Sequence, residues 1–271
     1  MEAYICIACG TQYPPAETAP AHCPICEDDR QAVHEQGQQW TTLAAMRTKY
    51  RNAVEDLEPH LTTFVTEPSF AIGEQAYLIQ TPAGNLLWDC ISFLDDATIS
   101  EINRRGGLSA IAISHPHFYT SMVAWSEAFN HAPIYLHQDN ARWVMRPDAA
   151  VRFWEGEALE ALPGLTLVRC GGHFPGSTAL HWRDGAGGQG ALFTGDTISV
   201  ASDRRYVSFM YSFPNLIPLD EGVVRHIVAA VEPYPFERLY GGWRGKVISS
   251  DAKGAVQRSA ERYIAHLRGA S

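Results

Sequence analysis

Trp40, Leu43, Met46, Tyr50, Val54 and Leu57 recur at spacings of three and four. That period places them on one face of a helix, so the sequence predicts a helical connector over 34–59, closed by Glu58-Pro59. From His60 onward the pattern shortens. Leu61 to Val65, Ala76 to Gln80 and Leu86 to Asp89 are apolar or alternating runs, broken by Pro68, Gly73 and the Pro82-Ala83-Gly84 turn. They read as strands. Ile134 to Leu136, Leu165 to Arg169, Ala179 to Trp182 and Ala191 to Thr194 continue the series, and Gly187-Gly188 serves a hairpin turn. Helical patterns fall at roughly 95–105, 121–130, 138–145, 220–232 and 251–268. Strands leading and helices interleaving predict an α/β layered domain over 60–271.

Composition narrows the class. A chain of 271 residues with 46% apolar and 19% charged residues can bury a full core and carry a small appendage. A formal charge of −9 disfavours a nucleic-acid partner, because phosphate binding needs a basic face. The N-terminus lacks the basic start and apolar stretch of a signal peptide, and no apolar run is long enough to span a bilayer. A cytoplasmic protein acting on a small molecule, away from membranes, is the expectation; homo-oligomerisation stays open.

Six cysteines in such a compartment are not a disulfide framework. Cys6-x-x-Cys9 and Cys23-x-x-Cys26 form two identical pairs, each able to present two thiolates from a tight turn, and together a closed tetrahedral site. Gly10 suits the positive φ that such a turn needs. The segment resembles a zinc ribbon, and more closely the rubredoxin-like module at the end of rubrerythrins, giving a four-cysteine knuckle over 1–33. Thiolate tetrahedra accept zinc and iron alike. Zinc as a structural staple is the reading here, with iron open, since so short a module cannot stay folded on buried apolar surface alone.

The run Ile111-Ala-Ile-Ser-His115-Pro-His117-Phe-Tyr119-Thr120 carries the remaining chemistry. Apolar residues end a buried strand, and two alternating histidines then share one side of an extended chain, where both can reach one ion. The run resembles the metal signature of the metallo-β-lactamase fold. Three other stretches resemble that family in the same order. Leu86-Leu87-Trp88-Asp89 matches the strand ending in a buttressing Asp, although the usual Asp-x-Gly reads Asp89-Cys90-Ile91. Cys170-Gly171-Gly172-His173 matches the loop bringing in a third histidine, and Thr194-Gly195-Asp196 the strand end with a metal-binding Asp. The resemblance implies an αββα sandwich in which His115, His117 and His173 hold zinc or another divalent transition metal. Asp196 then either closes the shell or accepts a proton from water. Where the family places second-metal ligands, this chain has Tyr119, Thr120 and Trp243, which implies a single metal.

A metal-dependent hydrolase acting on an ester, thioester, lactone or phosphoester follows from the resemblance. The alternative is a non-catalytic ligand- or partner-binding protein on the same fold. Tyr119 either donates to an oxyanion or fills vacated volume; Thr120 is expected to cap the helix beginning near Ser121. His137 and Asp139 either rescue a second metal or close a strand and cap a helix. Cys90 and Cys170 read as buried filler, and His181 as a core or surface residue. Tyr206, Phe209, Met210, Tyr211 and Phe213 form an apolar substrate wall, a dimer contact or a buried strand, with Arg204 and Arg205 available to an anionic group.

Overall fold

The predicted connector helix is replaced by extended chain. In the computed structural model, which describes residues 1–269, Trp40–Thr42 is a strand, Leu43–Met46 a single helical turn, and Arg51–Glu58 an eight-residue strand. The last forms a hairpin with Leu61–Glu67 in continuous register from Arg51↔Glu67 to Asp56↔Thr62. Helix propensity is a weak prior, and a full antiparallel ladder overrides it. Asn52 reinforces the ladder: its side-chain amide donates to the Phe93 carbonyl and to Thr98 Oγ1, each at 3.0 Å. The strand lies at a sheet edge, and Val54, part of the predicted apolar helix face, is exposed there with Arg51, Glu55 and Asp56.

The chain divides into two units, Met1–Leu136 with Asn140–Phe153, and His137–Asp139 with the residues from Trp154 onward. The first unit begins with a three-stranded sheet, in which β1 (Glu2–Cys6) lies between β2 (Gln12–Ala16) and β3 (Trp40–Thr42). This knuckle sheet thus runs to Thr42. Its apolar side joins Ile5 and Met46 to Phe70 and Phe93, a buried cluster supported by Ile7, Leu43 and Tyr50. A larger sheet follows: β4 (Arg51–Glu58), β5 (Leu61–Glu67), β6 (Gln75–Thr81), β7 (Gly84–Trp88), β8 (Ala110–Ala112), β9 (Ile134–His137) and β10 (Val151–Trp154), in that spatial order. β8 runs parallel to β7 and β9, its Ala-Ile-Ala fully buried. The helices Asp96–Arg104 and Met122–Ala128 stand where expected, the first capped by Asp95, whose carboxylate accepts from Thr98 N at 2.8 Å. The 138–145 helix is a 3₁₀ segment, Gln138–Trp143.

In the second unit β11 (Ala158–Leu162), β12 (Leu165–Arg169), β13 (Thr178–Trp182) and β14 (Ala191–Phe193) form an antiparallel series, with Gly187-Gly188 in the turn between the last two. Arg238–Tyr240 adds in parallel beside β14, and Val247–Ile248 closes the edge. The helices Glu221–Val231 and Ala252–Leu267 pack Val224, Ile227, Val256, Ala260 and Ile264 into a core with Leu192, Leu239 and Phe209. Among the described residues no helix is long and apolar enough to cross a membrane.

Candidate metal centres

The four knuckle cysteines meet in a closed cluster. Their sulfurs all lie within 4.8 Å of one another, with Cys6–Cys26 at 3.5 Å and Cys9–Cys23 at 3.6 Å. A tetrahedral ion at a Zn–S length of about 2.3 Å needs sulfurs about 3.8 Å apart, so the set fits a metal. Each pair is shaped by its own turn. Gly10 N–H donates to Cys6 O at 2.8 Å with Gly10 at φ +77°, and Cys23 O accepts from Cys26 N and Glu27 N as the helical turn Pro24–Glu27 begins. All four side chains are almost wholly buried. Hydrogen bonding from Cys23 and its neighbours pulls the Cys6 thiol down, whereas burial pushes Cys9 up. Such a cluster cannot hold several thiolates without a cation to offset them. Gln38 Nε2 donates to Cys6 Sγ at 3.1 Å, and Thr11 Oγ1 lies 3.3 Å from Cys9 Sγ. Neither residue carried a signal in the sequence, where only the cysteine spacing stands out.

His115 and His117 occupy the loop after β8. They do not alternate along an extended strand as expected. His115 is extended (φ −169°), but Pro116 fixes its own φ and starts a 3₁₀ turn, Pro116–Phe118, that contains His117. The two rings still meet, centroids 5.1 Å apart at 73°. Ser114 Oγ lies 2.9 Å from His115 Nδ1, and Asp89 Oδ1 accepts from Ser114 N at 2.7 Å. Asp89 therefore buttresses the loop, as its place at the end of β7 implied, and itself sits at φ +58°. With the serine on Nδ1, Nε2 is the nitrogen by which His115 could hold a metal. Ser114 escaped sequence reasoning; its signal was a polar residue directly following the buried strand.

In the second unit His173 follows β12 through Gly171 and Gly172, both at positive φ. A Cβ on Gly172 would lie 2.7 Å from Ile227 Cδ1, so the tight turn demands glycine. His173 Nδ1 lies 3.1 Å from the Met210 carbonyl, and its Nε2 is 3.6 Å from Asp196 Oδ2, at the end of β14. Both side chains are buried. The aromatic segment divides between roles: Phe209 is core and meets Tyr263 edge-on, whereas Phe213 stands 6.0 Å from the His173 ring and Met210 supplies its carbonyl. A backbone acceptor leaves no trace in side-chain pattern.

Other candidates fall away from the chemistry. Tyr119 is buried, and the Asn140 side chain hydrogen-bonds its hydroxyl while burial pushes its pKa well up. That environment favours packing over an oxyanion role. Thr120 does not cap the helix: its Oγ1 points to Phe118 O at 3.5 Å, and the N-cap is Ser121. The chain turns at Thr120 with φ +34°, which removes its hydroxyl from the helix N–H groups. Trp243 is half-buried in the turn closed by Lys246 N to Trp243 O. His137 is committed through Nε2 to the Gly156 carbonyl and through Nδ1 to Asp139 N–H, and Asp139 pairs with Arg169 at 2.8 Å, so they do not form a second metal site. Cys170 lies in the core, its thiol pushed up to about 12 by burial; Cys90 is buried too. His181 is a core residue bonded to Pro235 O. Arg205 is exposed and paired with Asp203 at 2.7 Å.

Comparison with known proteins places these loops in one lineage. A model of the metallo-beta-lactamase superfamily matches residues 72–243, so the chain belongs to that superfamily. It is 52% identical over 269 residues to the uncharacterized protein YmaE of Bacillus subtilis (strain 168), covering 98% of this chain and 97% of that one. Among solved structures, VMB-1 at pH 5.5 superposes with a TM-score of 0.60 at 12% identity, covering 81% of this chain and 99% of its own. The metallo-beta-lactamase FIM-1 from Pseudomonas aeruginosa, in its mono-zinc form, gives 0.58 at 13% identity over 79% and 96%. These likenesses establish the metallo-β-lactamase fold, here with a four-cysteine cluster at the N-terminus.

Proposed function

We propose that this protein is a metal-dependent hydrolase in which His115, His117, His173 and Asp196 bind a single divalent ion, zinc or another transition metal. One observation carries the reading: within each unit two of these buried residues converge, the His115 and His117 rings at 5.1 Å and His173 Nε2 with Asp196 Oδ2 at 3.6 Å. The match of the superfamily model across both histidine loops supports it. Three imidazoles and one carboxylate are a donor set suited to zinc, cobalt or iron. The chemistry supplied by such an ion is Lewis acidity, polarising a carbonyl or phosphoryl oxygen and acidifying water towards about pH 7.

The protein's part is orientation and proton transfer. Ser114 and the Met210 carbonyl hold Nδ1 of His115 and His173, so that each presents Nε2. Asp196 would either complete the donor set with one carboxylate oxygen or stand beside the ion and accept a proton from water. An ester, thioester, lactone or phosphoester is the substrate class. Metal analysis should find about two equivalents per chain, one on cysteines and one on histidines. His115→Ala should lose only the second, together with turnover in a screen of chromogenic substrates of those classes.

Ligand binding without turnover is the second reading, favoured by the buried Tyr119 hydroxyl bonded to Asn140 where the family places a second-metal ligand. Absence of metal-dependent turnover across the screen, with both equivalents bound, would select it.

A further inference from the structure

We infer that the four-cysteine knuckle is the positioning element of the loop bearing His115 and His117, with Gln12 as the residue that links them. The backbone N–H of Gln12 donates to the Thr120 carbonyl at 2.9 Å. Gln12 is two residues beyond the first knuckle turn, and Thr120 lies two residues beyond the 3₁₀ turn containing His117. Thr120 is β-branched yet sits at φ +34°, a conformation that persists only where surrounding contacts impose it. The knuckle supplies that contact. Arg146 strengthens it, donating Nη1 to Gln12 Oε1 at 2.5 Å and Nη2 to Glu127 Oε1 at 2.6 Å, on the helix after Thr120.

A second link reaches the same segment through Ile91 and Ser92. A Cβ on Gly10 would stand 2.0 Å from Ser92 Oγ, so the knuckle turn lies directly against Ser92. The neighbouring Ile91 carbonyl accepts from Ser121 Oγ at 3.2 Å and from Trp125 Nε1 at 2.9 Å. The segment from Thr120 to Trp125 is thus held by Gln12 and by the strand-end loop that the knuckle abuts. Loading the cysteines with metal fixes both, because so small a sheet depends on its metal to stay folded. Occupancy of the knuckle therefore governs the order of the histidine loop and, through it, the affinity of the histidine site. That last step rests on the function proposed above.

The test uses the full chain loaded with cobalt(II), whose thiolate charge-transfer bands report the knuckle separately from the histidine site. Amide hydrogen exchange over 113–125 reads the loop directly. Cys23→Ser should empty the knuckle, accelerate exchange over 113–125 beyond that of β12 and β13, and weaken cobalt at the histidine site by about tenfold or more. Gln12→Pro removes both the N–H and the side-chain amide, whereas Gln12→Ala removes the amide and keeps the N–H; with the thiolate bands retained, the proline variant should loosen the same loop and the alanine variant should loosen it less. Unchanged exchange over 113–125 in both Cys23→Ser and Gln12→Pro overturns the inference. A wild-type chain that binds cobalt only at the cysteines overturns the hydrolase reading instead, and the exchange measurement still decides the link.

Discussion

The Met210 carbonyl faces Nδ1 of His173 at 3.1 Å, and the opposite nitrogen of that ring is 3.6 Å from the Asp196 carboxylate. An acceptor at Nδ1 places the ring proton there and leaves the Nε2 lone pair for a metal. The aromatic stretch around Met210 thereby acquires a task beyond packing: its backbone sets the tautomer of a proposed ligand. Ser114 Oγ occupies the corresponding nitrogen of His115, 2.9 Å from its Nδ1.

Ser114→Ala should reveal what that contact contributes. The variant keeps the strand end and the Asp89 contact, which goes to the Ser114 backbone N–H, and loses only the hydroxyl on His115 Nδ1. Metal affinity at the histidine site should fall by about 10–100-fold, with the cysteine equivalent unchanged. Competition with a colorimetric chelator measures both.

Tyr119→Phe separates packing from chemistry at the position the family gives to a second metal. The hydroxyl is buried and bonded by Asn140, and burial holds its proton on far above neutral pH. The ring should keep its volume without the hydroxyl, so metal content should stay constant and turnover should change by less than about threefold. A loss of about a hundredfold in kcat at constant KM would restore the oxyanion role.

The sequence exposed those parts of the site that are side chains at fixed spacing. Paired cysteines, His115 with His117, Gly171-Gly172-His173 and Gly195-Asp196 were all legible, because candidate metal ligands and the glycines beside them leave residue-type signals. What escaped was set by backbone and tertiary pairing. Arg51–Glu58 read as helix because Tyr50, Val54 and Leu57 fall at spacings of three and four, and only its partner Leu61–Glu67 decides. Thr120 read as a cap, although its positive φ and the bond from Gln12 come from a segment more than a hundred residues earlier. Helices with a clear apolar stripe and an Asp cap, at Asp96–Arg104 and Glu221–Val231, fell close to their expected limits.

Glu74 makes stability depend on pH in a specific direction. Its carboxyl is buried; Oε1 accepts from Ser92 N at 2.8 Å and from Ser92 Oγ, and Oε2 has no hydrogen-bond partner. Burial raises its pKa above the ordinary carboxylate value despite those donors. The unfolded chain therefore releases this proton near pH 4.3 while the folded chain retains it. With fewer protons on the unfolded state, stability falls as pH rises from about 4.3 to the raised folded value, and then levels. Glu74→Gln should remove that fall. Denaturant titrations from pH 4 to 8 should show the wild type losing stability relative to the variant as pH increases; parallel curves would mean that the proton is not held.

Gly172→Ala tests how the His173 loop is aimed. At φ +82° an L-residue is strained by about 1–3 kcal/mol, and here the added methyl also meets Ile227 Cδ1 at 2.7 Å and Leu219 Cδ1 at 3.1 Å. Ile227 Cδ1 is the end of a side chain buried in the core on the helix Glu221–Val231, so either its rotamer or the strained loop must give. His173 is the next residue, and its bond to Met210 O is the contact most exposed to that shift. The variant should remain folded with its cysteine-bound metal, lose about that amount in global stability, and bind histidine-site metal at least tenfold more weakly. Thermal unfolding and metal titration on one preparation measure both effects. Full histidine-site affinity in a destabilised variant would show that the loop tolerates the displacement and that Gly172 serves packing alone.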